Sequence, residues 1–189
     1  MTAFVRNPAA LEARPGLTIV EGDVTDAAAI GRAIGRATGR AVAGHEAVLS
    51  ALGPRGGQYG VLPGGVQNIV AAMSQAGVRR LIHVSSFGVG DSLAQMGWVA
   101  RQIVVPLFLR KALDEKEIEE GIIRASDLDW IIARPGGLED GPRTGVYRCI
   151  TDPREKVGQP RIARADVADF MLQNLADERF VRRVVGLTY

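Results

Sequence analysis

The sequence contains few of the residues that build disulfide frameworks, metal centres or membrane spans. It has one cysteine, Cys149, and two histidines among 189 residues, so an internal disulfide is excluded and the set of metal ligands is poor. The longest apolar stretch, residues 103–109, is far shorter than a membrane-spanning helix and contains Pro106. We therefore expect a cytoplasmic protein that binds no metal and has no membrane partner.

An excess of charge of one sign is lacking as well. The 23 lysines and arginines nearly balance the 21 aspartates and glutamates, which leaves a net charge of +2. No dense run of basic residues is interleaved with aromatic ones, so a nucleic-acid partner is not expected. Hydrophobic residues make up 47% of the chain. That is enough for one good-sized core and predicts a single domain over residues 1–189.

Short β-rich runs alternate with helical patterns along the chain, which is typical of a parallel sheet with crossover helices. Strands are predicted at residues 2–6, 17–21, 46–52, 80–85, 130–134 and 184–188, with a shorter extended piece at 145–150. Helices are predicted at 26–37, 62–76, 98–112, 113–125 and 165–176. Thr25 or Asp26 is a candidate N-cap of the first helix, and Gly77 stands where the second helix needs a C-cap.

Small or hydrogen-bonding residues lie at the carboxyl end of each of the first five predicted strands. Ligands of an open parallel sheet bind outside the carboxyl ends of its strands, so these segments define a candidate site. Each segment alone is compatible with ordinary turn chemistry, whereas five in series favour a ligand site. The segments are Arg6-Asn7-Pro8, Gly22-Asp23-Val24, Ser50-Ala51-Leu52-Gly53-Pro54, Ser85-Ser86-Phe87-Gly88 and Arg134-Pro135-Gly136-Gly137-Leu138.

Several of these segments, with others, carry a resemblance to a known family. They are, in chain order, Phe4-Val5-Arg6-Asn7-Pro8, Val20-Glu21-Gly22-Asp23-Val24-Thr25-Asp26, His83-Val84-Ser85-Ser86, Ile123-Arg124-Ala125-Ser126-Asp127-Leu128-Asp129-Trp130, Ala133-Arg134-Pro135-Gly136-Gly137-Leu138 and Ile162-Ala163-Arg164-Ala165-Asp166-Val167-Ala168. The chain resembles the atypical short-chain dehydrogenase/reductase superfamily, in its NAD(P)H-binding, NmrA-like and biliverdin-IXβ or flavin-reductase-like branch. The resemblance implies an α/β, Rossmann-like parallel sheet with helices on both faces.

One departure from the family concerns the phosphate-binding turn. Members of this branch open with a strand and a Gly-x-x-Gly-x-x-Gly turn, whose N–H groups and helix dipole hold the pyrophosphate. This sequence starts at what resembles the family's second strand. The similar run Gly35-Arg36-Ala37-Thr38-Gly39-Arg40 follows a helical pattern instead of a strand, so it lacks the required context. We therefore predict that the first βα unit is absent and that cofactor binding is weak without the turn.

The absent strand has a structural consequence. In the strand order 3-2-1-4-5 that the family uses, the first strand is central, between the predicted strands at residues 2–6 and 46–52. Its absence leaves two unpaired strand edges inside the molecule, which is costly. We expect the natural protein to begin earlier than Met1. The alternatives are that the remaining strands close the gap, or that the chain is stable only with a partner.

The resemblance also implies cofactor-binding residues. Arg6 follows the strand at which NAD-specific members hold an acidic residue, and an arginine there suits the 2′-phosphate of NADP, with NAD as the alternative. Asp23 and Val24 match the pair that contacts adenine. A solvated arginine and a turn-capping aspartate are the simpler interpretations. The other candidate cofactor-binding residues are Asn7, Ser50, Ala51, Leu52, Gly53, Ser85, Pro135, Gly136 and Gly137.

Ser86 and Lys116 are the candidate catalytic residues. Ser86 matches the active-site serine of the family, and Lys116 matches a lysine or histidine near the nicotinamide ribose; a plain surface lysine is the alternative. Neither Tyr59 nor Tyr147 is followed by a lysine four positions later, so the Tyr-x-x-x-Lys pair of ordinary short-chain dehydrogenases is missing. Reduction by tyrosine acid catalysis is therefore not predicted.

The aromatic residues leave two interpretations open. Phe87, Trp98 and Phe108 are candidates for the wall of an apolar substrate pocket, and core packing explains them equally well. His83 lies inside a predicted strand, which favours a packed histidine. The resemblance implies an NAD(P)H-dependent oxidoreductase, NADP-preferring, that acts on a flavin-like or quinone-like acceptor as a monomer or homodimer. The alternatives are a dinucleotide sensor that regulates a protein partner and an inactive fragment.

Overall fold

The computed structural model describes residues 1–35, 45–53 and 60–189. Its strands are β1 (Thr2–Val5), β2 (Thr18–Glu21), β3 (Ala47–Ser50), β4 (Arg80–Val84), β5 (Asp129–Pro135), β6 (Gly137–Glu139), β7 (Arg148–Ile150), β8 (Arg161–Ala163) and β9 (Arg183–Thr188). Its α-helices are α1 (Ala27–Gly35), α2 (Leu62–Ala76), α3 (Arg110–Arg124) and α4 (Arg164–Gln173). A π-helical segment, Ala100–Leu109, leads directly into α3, and short 3-10 helices lie at Pro8–Ala10 and Gly90–Gln95.

The main sheet has five strands in the order β3-β4-β5-β9-β7. All of its pairs are parallel except that of β7 with β9. Its two faces are covered by different helices. Residues of α1, α2 and α3, such as Ile30, Met73 and Ile123, form a core with Leu81 and Ile132 on one face. The α4 residues Val167, Phe170 and Met171 pack with Ile131 and Val185 on the other face. The α/β, Rossmann-like parallel sheet with helices on both faces is confirmed.

Two further parallel pairs lie outside the main sheet, β1 with β2 and β6 with β8. Among the described residues, β1 pairs only with β2 and β3 pairs only with β4, so one edge of β1 and one edge of β3 carry no ladder partner. Side chains of both strands, Phe4 and Val48, nevertheless pack against the same core cluster. This arrangement is the one expected where a strand lies between β1 and β3. That the natural chain supplies such a strand stays a prediction.

Most element boundaries agree with the sequence patterns within one or two residues. Asp26 is the N-cap of α1, since its Oδ1 accepts hydrogen bonds from the amides of Ala28 and Ala29 at 2.9 and 3.0 Å. Gly77 ends α2 in the left-handed conformation, with φ of 71°. The short strands β6 and β8 were not predicted, because three residues carry too little periodicity. Of the glycine-bearing run at residues 35–40, only the first residue lies within the described part of the chain, as the last residue of α1.

The predicted break between helices at residues 112 and 113 is wrong, because residues 98–124 form one continuous helix. Its early part is π-helical and contains Pro106. Proline cannot donate to the ladder of an α-helix, and irregular π geometry tolerates it better than an α-helix interior does. The helix predicted at 165–176 ends earlier, at Gln173, where the Asn174 amide bonds back to the carbonyl of Phe170 at 3.2 Å.

Candidate functional site

The ends of β1, β2 and β3 meet around a pocket of about 320 Å³. Seven of the predicted cofactor-binding residues line it: Arg6, Asn7, Asp23, Val24, Ala51, Leu52 and Gly53. Gly22, from the candidate segment after the second predicted strand, lines the pocket as well. The remaining wall, which sequence reasoning did not identify, is Phe4, Val5, Ala10, Leu11, Val61 and Leu62. Val61 and Leu62 belong to the start of α2. They were missed because a motif at the end of a strand does not show which residues of the next helix line the same pocket.

Arg6 is the free cation of this pocket. It is exposed, and it forms no hydrogen bond or salt bridge with any residue that the structure describes. Its neighbour Asn7 is engaged, since its Oδ1 accepts the amide of Ala9 at 3.1 Å and caps the 3-10 helix that follows. That short helix places Ala10 in the pocket wall. A guanidinium with no internal partner is suited to bind a phosphate.

One carboxylate oxygen of Asp23 accepts hydrogen bonds within the protein, and the other accepts none from the described residues. Its Oδ1 accepts the amide and the hydroxyl of Thr25, at 2.9 and 2.8 Å. These bonds, with Arg6 nearby, lower the pKa of Asp23 below its ordinary value, so the carboxylate is ionised at neutral pH. The turn-capping interpretation is therefore correct for Oδ1. Within the described residues Oδ2 accepts no hydrogen bond, which leaves one oxygen for a ligand amine.

Helix α2 holds the loop that carries Val24. The side-chain amide of Asn68 donates from Nδ2 to the backbone carbonyl oxygens of Val24 and Thr25, at 3.0 and 3.2 Å. Gly65 lets the helix approach, because a Cβ at this position would lie 2.6 Å from Cγ1 of Val24. Neither residue was identified from the sequence. Their role depends on contacts between segments about forty positions apart, which no local motif shows.

Two adjacent residues of α3 anchor the segment between β3 and α2. Lys116 donates from Nζ to the carbonyl oxygen of Leu52 at 2.6 Å, and Glu115 accepts the amide of Gly60 through Oε1. Lys116 also donates to the Val84 carbonyl at 3.2 Å and to Glu119 at 3.0 Å. An ammonium has three donors, so all of them are engaged. Lys116 is only 6% exposed, and the surface-lysine alternative is wrong.

A buried chain of polar side chains continues from Lys116. Glu119 lies 3.0 Å from Nε2 of His83, and Nδ1 of His83 lies 3.1 Å from the hydroxyl of Ser50. Burial lowers the pKa of His83, so the ring is neutral near neutral pH. The packed histidine is confirmed. Ser50, a predicted cofactor-binding residue, is fully buried against it and does not line the pocket.

A second buried cluster occupies the ends of β4 and β5. Arg134 donates to both oxygens of Glu120 at 2.8 Å, and Ser85 donates to Oε1 of the same carboxylate at 2.6 Å. Burial alone would raise the pKa of Glu120, but Arg134 and Ser85 together lower it. The hydroxyl of Ser85, a predicted cofactor-binding residue, is therefore bound to the Glu120 side chain. The hydroxyl of Ser86 donates to the carbonyl of Phe87 at 3.1 Å, and Ser86 is only partly buried.

Gly136 and Gly137, which follow β5, make close contacts with another segment of the protein. A Cβ on Gly136 would lie 2.4 Å from the carbonyl carbon and oxygen of Pro160, and the amide of Gly137 donates to that oxygen at 2.8 Å. The carbonyl of Pro135 accepts the amide of Phe87 at 2.9 Å. Gly136 is the single residue between β5 and β6, and close packing against Pro160 accounts for these glycines. They share the carboxyl edge of the parallel sheet with Ser85 and Ser86, but they do not line the pocket.

The three aromatic candidates differ in their burial. Phe87 is 4% exposed, and its ring would lie 2.7 Å from a Cβ on Gly186, so it is a core residue. Trp98 and Phe108 are largely exposed. For these two residues the core interpretation is wrong, and neither of them lines the pocket described above.

Comparison with known proteins identifies relatives. Residues 1–178 match the family model described as NAD(P)H-binding. An uncharacterised chloroplastic protein of Arabidopsis thaliana is 31% identical over 185 residues, which cover 92% of this chain and 60% of that protein. An uncharacterised sugar epimerase of Bacillus subtilis, YhfK, is 28% identical over 66% of this chain and 51% of its own length. The chain thus spans between 46% and 60% of the curated relatives that it matches.

Two solved structures resemble this chain over almost its whole length. ChuY of Escherichia coli O157:H7, described as an anaerobilin reductase, superimposes with a TM-score of 0.78 at 26% identity and covers 99% of this chain and 83% of its own. A short-chain dehydrogenase/reductase of Veillonella parvula in complex with NADP has a TM-score of 0.76 at 20% identity, covering 100% of this chain and 82% of its own. That identity is low enough that the likeness shows the fold alone.

Proposed function

Because the chain belongs to the NAD(P)H-binding family, we propose that its pocket binds the adenosine end of NADPH and that the protein is an NAD(P)H-dependent reductase. The observation that carries this proposal is the pocket itself, where Arg6, which has no partner among the described residues, and an ionised Asp23 follow the neighbouring strands β1 and β2. The proposed acceptor is a flavin-like or quinone-like conjugated ring, and the structurally similar ChuY is described as a reductase of anaerobilin. NADP is preferred over NAD because Arg6 follows β1.

The residues fit an adenine nucleotide in size and chemistry. The pocket volume of about 320 Å³ lies within the range of small-molecule sites, about 300–1,000 Å³. Val24 and Leu62 offer apolar contacts to a flat base, Asp23 accepts from its exocyclic amine, and Arg6 pairs with a ribose phosphate. The nicotinamide, when bound, supplies the hydride.

Binding of the pyrophosphate requires a glycine-rich turn, and the described residues do not provide one at this pocket. We propose that a strand fills the space between β1 and β3 and that a glycine-rich turn after it presents N–H groups to the phosphates. The support is that one edge of β1 and one edge of β3 have no ladder partner among the described residues. An N-terminally extended form is then expected to bind NADPH more tightly than residues 1–189.

Ser86 and the segment held by Lys116 are assigned different tasks. Ser86 lies partly buried at the sheet edge, and its hydroxyl would turn from the Phe87 carbonyl to donate to a carbonyl oxygen of the acceptor. The proton that accompanies the hydride comes from solvent. Lys116 has no free donor, so it acts by fixing Leu52 in the pocket wall. It is therefore a positioning residue.

Titration calorimetry with NADPH, on this chain and on the extended form, tests the proposal. Binding by the extended form that is at least tenfold tighter supports the proposed strand and turn. Equal affinity of the two forms would contradict that part. Absence of NADPH binding in both would contradict the assignment of the pocket.

A dinucleotide sensor is the second candidate function. It is favoured by the absence of the Tyr-x-x-x-Lys pair and by the complete engagement of the Lys116 ammonium. Consumption of NADPH with a panel of quinones and flavins separates the two. Turnover with any of them supports the reductase, and tight binding without turnover supports the sensor.

A further inference from the structure

The π-helical segment and the residues beside it expose large apolar side chains. Trp98 is 69% exposed, Leu107 70% and Phe108 72%, and Val99 and Ile103 are exposed as well. Val105 is the buried residue of the π-helical segment. Such a cluster on a surface helix is costly in water and usually marks an interaction surface. We name residues 98–111 the apolar-basic surface.

The charge of this surface has one sign. Residues 98–111 contain Arg101, Arg110 and Lys111 and no acidic residue, and all three side chains are exposed. The first carboxylate that follows is Asp114, 3.9 Å from Arg110. The surface therefore combines tryptophan, phenylalanine and leucine with a net charge of three positive units, although the chain as a whole is almost neutral.

We propose that the apolar-basic surface docks the protein on an anionic lipid bilayer. A helix that carries aromatic and aliphatic side chains beside lysine and arginine lies in the plane of the membrane interface, and basic residues next to it are attracted to anionic headgroups. No helix among the described residues is long and apolar enough to cross a membrane, and interfacial docking requires none. The expectation of no membrane partner rested on the length of the apolar run alone, and it is revised here.

A second copy of the chain is the less suitable occupant. A two-fold interface brings the same patch of both copies together. It would place Arg101, Arg110 and Lys111 of one copy against the same cations of the other, with no carboxylate between residues 98 and 111 to pair with them. Charged residues are also depleted at the centre of protein interfaces.

The surface is joined to the candidate site through one buried contact, which links docking to the proposed function. Val105 packs with Val89 and Leu113, and the amide of Val89 bonds to the carbonyl of Ser86 at 3.4 Å. If the protein is a reductase, as proposed above, its acceptor is then a lipid-dissolved conjugated ring such as a quinone. This last step rests on the proposed function, whereas membrane docking does not.

Co-sedimentation with phosphatidylcholine vesicles, with and without phosphatidylglycerol, tests the docking. We expect binding to the anionic vesicles only, and loss of binding at high salt. Trp98→Ser with Phe108→Ser is expected to weaken binding at least roughly tenfold, and Arg101→Glu with Lys111→Glu by about fivefold or more per residue. Val146→Ser, at a residue 78% exposed elsewhere, and Arg14→Glu are matched controls and should bind like the parent chain.

Several outcomes would overturn the docking proposal. They are no binding of the parent chain to anionic vesicles, equal binding of the surface variants and the controls, or a dimer in solution that the surface variants convert to monomer. The last outcome would assign the surface to a protein interface. NADPH titration of the same variants is measured in parallel, so vesicle binding without NADPH binding contradicts the proposed function and leaves the docking intact.

Discussion

Lys116 Nζ lies 2.6 Å from the carbonyl oxygen of Leu52, so a buried ammonium of α3 holds the pocket wall at the end of β3. Its neighbour Glu115 accepts the amide of Gly60, at the other end of the same connection. Two consecutive side chains thus fix where this connection leaves β3 and where it reaches α2. The position of the pocket wall depends on α3, a helix that does not itself line the pocket.

Replacement of Lys116 is expected to destabilise the fold. Lys116→Met removes the cation next to Glu119 and the hydrogen bonds that Lys116 donates to the carbonyls of Leu52 and Val84. Breaking a buried ion pair from one side costs about 3–5 kcal/mol. Urea unfolding measures the loss, and Lys111→Met, at an exposed lysine, is the control. Equal stability of the two variants would show that the Lys116 contacts contribute nothing.

Gly64 and Gly65 should respond to alanine in opposite directions. A Cβ on Gly65 would lie 2.6 Å from Val24, while a Cβ on Gly64 meets no atom within 4 Å. Gly65→Ala is expected to cost about 1–3 kcal/mol through overpacking and to shift Val24 in the pocket. Gly64→Ala is expected to stabilise α2 by about 0.5–1 kcal/mol. Thermal unfolding of the two variants checks the sign, and a stable Gly65→Ala would mean that the loop moves freely.

The strand-end residues of the pocket could be predicted because their position follows from local pattern. Arg6 and Leu52 end predicted strands and Asp23 closely follows one, and parallel strands place such residues at one edge. The same rule misassigned Ser50, because this last residue of β3 points at His83 rather than at the pocket. A period of two decides the side of a strand, and an error of one residue reverses it.

Contacts distant in the chain account for the parts that the sequence did not predict. Gly136 matched a family motif, yet the atoms that require a glycine there belong to Pro160. Glu119 and Glu120 lie three and four residues after Lys116 on a strongly polar helix, where the usual interpretation is a solvated face. They are buried because His83 and Arg134 reach them from the sheet. The exposure of Trp98 and Phe108 likewise depends on tertiary structure.

Acid should weaken the fold through Asp166. Burial alone would raise its pKa, but hydrogen bonds from Gly145, Thr144 and Tyr189 lower it from 3.8 to about 2. Because the folded state holds the carboxylate ionised, its contribution to stability is present above about pH 4 and is lost as the pH falls towards 2. The free energy of unfolding of the parent chain is therefore expected to fall more steeply over this range than that of Asp166→Asn.

The control for this prediction is Asp140→Asn, at an exposed carboxylate that pairs with Arg164. This variant should follow the pH dependence of the parent chain. Parallel curves for the parent chain and Asp166→Asn would show that the hydrogen bonds of Asp166 do not stabilise its ionised form.

Arg6 should decide the preference between the two dinucleotides. Its guanidinium has no partner among the described residues and lines the pocket next to Asp23, so a 2′-phosphate can form charge-assisted hydrogen bonds with it. Such bonds contribute about 1.5–3 kcal/mol, and Arg6→Ala in the extended form is therefore expected to weaken NADPH binding roughly 10- to 150-fold. NADH lacks the phosphate, so its affinity should change less than about threefold.

Arg14→Ala, at an exposed arginine that pairs with Glu12, controls for the loss of one positive charge. Fluorescence titration of both dinucleotides gives the ratio directly, and an equal loss for NADH and NADPH would mean that Arg6 supports the pocket without contacting the phosphate.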